Sequence, residues 1–68
     1  MTPIPIYKFC SRIYRTESVK GRFGQIKAER RTWKAEIRTA DGNLVRYAGI
    51  WKTLRDAQDE ITHILNQP

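Results

Sequence analysis

Cys10 and His63 are the side chains in this 68-residue chain best suited to nucleophile–base chemistry, and nothing in their spacing orients one toward the other. With one cysteine there is no intrachain disulfide, and with one histidine there is no cluster at zinc spacing. Gly21-Arg22-Phe23-Gly24 lacks both the length and the strand-to-helix setting of a phosphate-cradling loop. Glu36 stands among cations and reads as a charge partner, not a general base. The sequence therefore predicts no enzyme, no cofactor and no metal. What remains is cationic chemistry. Lys and Arg number 13 against 7 Asp and Glu, a net charge of +6, and the excess is segregated. Residues 1–52 carry 12 cations and 4 carboxylates, whereas residues 53–68 carry 1 and 3. Such asymmetry points to a polyanionic partner, with nucleic acid ahead of an acidic membrane.

The cations are positioned by a candidate β-hairpin, residues 32–49, folded over Thr39-Ala40-Asp41-Gly42-Asn43. A two-residue turn at Asp41-Gly42 and a three-residue loop with Gly42 in the left-handed region are both common, and they differ in register by one. A one-residue slip exchanges the faces of every side chain in the second strand. The shorter turn would place Arg46 beside Trp33, Ala35 and Ile37, burying a charge without a partner. The three-residue loop instead adds Val45 and Tyr47 to that apolar face. It leaves Lys34, Glu36, Arg38 and Arg46 on the other face, with Glu36 opposite Arg46. The second register is the one expected, and it makes Trp33 and Tyr47 core residues.

Before the hairpin, alternation over residues 24–28 marks a strand with Ile26 and Ala28 on one side and Gln25 and Lys27 on the other, followed by the link Glu29-Arg30-Arg31. After it, Thr53 is an N-cap with Asp56 three residues on, and Leu54, Ala57, Ile61, Ile64 and Leu65 recur at helical spacing. Thr62 and His63 fall off that stripe. Residues 1–20 read as an extended or loosely docked arm, because Pro3 and Pro5 favour extended geometry without ladder hydrogen bonds. Ile4, Ile6 and Phe9 are its docking candidates, and the stretch from Arg12 to Lys20 is either a short edge strand or a basic tail. The fold class expected is α+β: a three-stranded antiparallel sheet over residues 21–68, packed against one C-terminal helix. No apolar run reaches the about 18 residues needed to span a membrane, and the lone cysteine suits a reduced interior, cytoplasmic or nucleoid-associated.

Trp33-Lys34-Ala35-Glu36-Ile37-Arg38, Asp41-Gly42, Tyr47-Ala48-Gly49-Ile50-Trp51-Lys52-Thr53 and Arg55-Asp56-Ala57 together resemble the APETALA/ethylene-response-factor type of DNA-binding domain. The stretch is similar also to the arm-binding domains of phage and transposon tyrosine recombinases. The resemblance covers residues 21–65. It implies a sheet inserted in the major groove, with Arg38, Glu36 and Arg30 at contact positions and Tyr47 turned toward DNA. On that last point it opposes the alternation.

Residues and resemblance converge on a double-stranded DNA-binding protein of phage or prokaryotic type, regulating transcription or recombination. The expected contacts are Lys27, Arg30, Arg31, Lys34, Glu36, Arg38 and Arg46 on the sheet, with Arg15, Lys20 and Arg22 clamping phosphates from the N-terminal side. The alternative is a protein-interaction module or inhibitor that binds an acidic protein surface. RNA is a third possibility.

Overall fold

The computed structural model describes residues 2–67. Its sheet has five antiparallel strands in sequential order: β1 (Ile6–Cys10), β2 (Ile13–Thr16), β3 (Arg22–Glu29), β4 (Thr32–Thr39) and β5 (Leu44–Trp51). This corrects the three-stranded sheet with an extended arm. Ile6-Tyr7-Lys8-Phe9-Cys10 and Ile13-Tyr14-Arg15-Thr16 are rich in β-branched and aromatic residues. Pro3 and Pro5 both precede β1, which starts at Ile6, so they cost the ladder nothing. β2 then leads through a turn at Lys20-Gly21 into β3. Val19 and Arg22 exchange both backbone hydrogen bonds (2.7 and 3.1 Å) around it, and both central residues have positive φ, 55° and 77°. That is the mirror-image turn whose twist matches a hairpin, and it starts β3 two residues earlier than the alternation suggested.

The helix α1 (Leu54–Leu65) covers one face of the sheet. Thr53 caps it, its hydroxyl accepting from the Asp56 amide at 3.1 Å, so one orphan donor of the first turn is satisfied by the predicted pair. Ala57, Ile61 and Leu65 are buried with Ile26, Ala35, Ile37 and Ala48, and Leu54 and Ile64 flank them. Ile61 lies where a side chain at Gly24 would be, its Cδ1 2.7 Å from the position of an added Cβ. One helical residue departs from the expected stripe. Thr62 is buried because its hydroxyl accepts the backbone amide of Ile4 at 2.9 Å, while the Gln58 side-chain amide donates to the Ile4 carbonyl at 2.8 Å. The N-terminal segment is thus held to the helix by polar contacts as well as by burial of Ile4. Trp33 packs edge-on against Tyr14 with ring centroids 5.7 Å apart, and the Trp51 indole donates to the Ala48 carbonyl at 2.7 Å.

The β4–β5 connection is the expected three-residue loop, with the Thr39 amide donating to Asn43 (2.9 Å), the Gly42 amide to Thr39 (2.8 Å), and Gly42 at φ 90°. The register beyond it is not the expected one. Arg38 faces Leu44 but Ile37 faces Arg46, so Val45 is an extra residue. A second bulge follows at Gly49, φ 93°, between the pairs Glu36–Tyr47 and Lys34–Ile50. The first bulge inverts the faces that the loop alone would set. Tyr47 accordingly points away from the helix and Arg46 lies on the helix side, the reverse of the expected assignment.

Candidate nucleic-acid interface

The sheet face opposite α1 is built in cross-strand rows, because residues paired across antiparallel strands share a face. One row runs Tyr7, Arg15, Gln25, Glu36, Tyr47. The next runs Cys10, Ile13, Lys27, Lys34, Ile50, and a third runs Phe23, Arg38, Leu44. No element of the structure covers this face among the described residues. Its cations at these positions are Arg15, Lys27, Lys34 and Arg38, with Glu36 the opposing carboxylate.

Arg15 is wedged between aromatic rings, its guanidinium carbon 3.6 Å from the Phe9 centroid and 5.1 Å from that of Phe23, and its Nε donates to Gln25 at 3.3 Å. This stacking explains how Phe23 is buried on a face without a second layer. Lys34 sets its ammonium 5.3 Å from the Tyr47 ring. Lys34, Tyr47, Gly49 and Ile50 line an open apolar depression of about 390 Å³, in which Tyr47 is 61% and Ile50 67% exposed. Lys27 is exposed beside it.

Arg38 differs from the others. Its guanidinium donates to the Gly42 carbonyl at 2.8 Å and to both oxygens of Glu36 at 3.3 Å, and its Nε is buried without a partner. Glu36, 8% exposed, is thus neutralised within its own strand, not by Arg46 across the ladder. An arginine committed in this way holds the loop and the carboxylate. It is not a free fork for a guanine edge.

The remaining predicted contacts divide between the two ends of the sheet. Arg30 and Arg31 form the tight β3–β4 turn, near Arg12, whose carbonyl accepts the Ala28 amide at 2.8 Å. Lys20, Arg22 and Arg46 gather at the opposite end and on the helix side, around a cleft also lined by Ile64 and Leu65. The ten expected contact residues therefore do not form one surface. Arg15, Lys27, Lys34, Glu36 and Arg38 share the open face, Arg30 and Arg31 cap one end, and the bulge at Val45 moves Arg46 away from them. Phe9, Tyr47 and Ile50 join the open face, although the sequence reading placed them elsewhere or passed over them. Tyr47 reaches this face through the bulge at Val45, which no residue type announces, whereas Gly49, an isolated glycine within a strand pattern, marks the second bulge, just before Ile50.

Among the described residues no group of three or more His, Cys, Asp or Glu could hold a metal ion. Among the same residues no helix is long and apolar enough to cross a membrane. Comparisons with protein-family models, with curated proteins and with solved structures gave no match.

Proposed function

We propose that this chain binds double-stranded DNA with the sheet face opposite its helix. The observation that carries the reading is the uncovered face itself: Arg15, Lys27 and Lys34 lie among exposed Tyr47 and Ile50, and the opposing carboxylate is already paired. Its width decides how it docks. Five strands at about 4.8 Å spacing span roughly 19 Å, whereas the major groove is about 12 Å wide. Only part of the sheet enters, and β3–β5 is the part that presents Lys27, Lys34, Tyr47 and Ile50. β1 and β2 then lie over the flanking backbone, where Arg15 and the turn cations Arg30 and Arg31 meet phosphates. The likeness of residues 21–65 to the APETALA/ethylene-response-factor and recombinase arm-binding types supports the same docking, and a small phage-type or prokaryotic regulator of transcription or recombination follows from it. Such a protein works in the cytoplasm or on the nucleoid.

Arg15, Lys27, Arg30, Arg31 and Lys34 amount to about five phosphate or base-edge contacts, so log affinity for random duplex should fall with log salt at a slope of about −4 to −5. Anisotropy titrations at several salt concentrations measure it, and a slope near zero overturns the reading. A second reading, a protein-interaction module, is favoured by the exposed apolar side chains of Leu44, Tyr47 and Ile50. Binding that is indifferent to duplex but saturated by an acidic competitor protein would select it.

A further inference from the structure

The cleft at the other end of the sheet lies on the opposite side and belongs to none of this. It has a volume of about 360 Å³ and is edged by Lys20, Arg22 and Arg46, with Ile37, Ile64 and Leu65 as its apolar walls. Among the described residues, no ion pair occupies these three cations and no carboxylate lines the cleft. Their convergence is set by the backbone. The turn at Lys20-Gly21 brings Lys20 next to Arg22 across the Val19–Arg22 bridge, and the bulge at Val45 rotates Arg46 onto the helix side opposite Ile37. Three like charges brought together are mutually unfavourable until an anion joins them. A bare anion, however, would leave the half-buried side chains of Val19 and Ile64 wet above the buried Ile37 and Leu65.

We propose that this cleft binds a phosphate monoester carrying a flat ring, a nucleotide in chemical class, with the phosphate among Lys20, Arg22 and Arg46 and the ring against Val19 and Ile64. Arginine suits the phosphate because its fork bonds two oxygens at once. The volume is at the small end for ligand pockets and matches one nucleotide unit. The source is either a free mononucleotide or the terminal nucleotide of a strand.

Amide chemical-shift titration of the full chain with AMP, at constant ionic strength, tests this. Saturable shifts are expected around Val19–Arg22, Arg46 and Ile64–Gln67, and the double variant Arg22→Gln, Arg46→Gln should weaken them at least about tenfold. These side chains are exposed, so the variant keeps its spectrum elsewhere. Lys34→Gln, on the other face, should leave AMP binding unchanged while weakening duplex binding, which separates this site from the DNA face. A short strand with a 5′-phosphate, run beside its 5′-hydroxyl counterpart, distinguishes a strand terminus from a free nucleotide. Shifts that never saturate, saturable shifts confined to the open sheet face, or inorganic phosphate binding as tightly as AMP would each overturn the proposal.

Discussion

Arg30 sits at φ 49°, a left-handed conformation that an L-residue adopts at a cost of about 1–2 kcal/mol. The two-residue link from Glu29 to Thr32 demands it, and Thr32 reinforces the turn by donating its hydroxyl to the Glu29 carbonyl at 3.0 Å. Glycine meets the same demand without the clash, offset in part by the extra freedom of the unfolded chain. Arg30→Gly should therefore stabilise the fold by about 0.5 kcal/mol, a rise in melting temperature of roughly 2–4 °C for a domain of this size. The same change should lower the magnitude of the salt slope for duplex DNA by about one. Thermal melts and anisotropy read the two effects separately, and a lower melting temperature would contradict the strain argument. Arg38 invites the opposite inference. With the Gly42 carbonyl and Glu36 both depending on it, Arg38→Ala should reduce stability by about 1–3 kcal/mol, because Glu36 would be left buried and unpaired. A denaturant midpoint unchanged from that of the parent would show the pair to be incidental.

At the scale of the element, β5 explains why the face assignments went astray. Thr53, Asp56 and the stripe from Leu54 to Leu65 are local signals, complete within one helix, so α1 was legible apart from Thr62, whose partner Ile4 is 58 residues away. The three-residue loop was legible for the same reason. Register was not, since alternation counts residues from the loop and an inserted residue changes the count without changing composition. Val45 is a good strand former and nothing in its type announces a bulge. Gly49 does announce one. Its φ of 93° excludes ordinary side chains, and an added Cβ would also lie 3.2 Å from the Trp51 indole nitrogen. Gly49→Ala is expected to cost about 1–3 kcal/mol. It should also shift the amides of Tyr47 and Ile50 as the edge strand readjusts. A fully retained midpoint would mean that the bulge does not depend on glycine.

At the scale of the whole molecule, the question is whether the three strands and helix that the sequence brought forward can stand without β1 and β2. Starting the chain at Gly21 removes more than two strands. The Ile4 side chain leaves the core, at about 2 kcal/mol for a buried aliphatic residue. Thr62 and Gln58 lose the backbone groups of Ile4, and the Gly24 amide loses the Thr16 hydroxyl, 2.9 Å away and buried. Each such loss costs on the order of 1 kcal/mol or more. β3 also becomes an open edge, and Trp33 loses the ring of Tyr14. A chain of this size has roughly 3–10 kcal/mol of stability in total, so these losses together consume most of it. The truncated chain should show no cooperative thermal transition, or one well below that of the full chain, when followed by circular dichroism. A transition within a few degrees of the parent would make residues 1–20 an appendage after all. The outcome also bears on binding, because Arg15 reaches the open face only from β2, and the Phe9 ring that stacks on it comes from β1. If the five strands fold as one unit, the proposed flanking and groove-entering contacts are held by a single sheet, and on the proposed reading DNA binding should be lost together with the fold, not reduced in proportion to the charges removed.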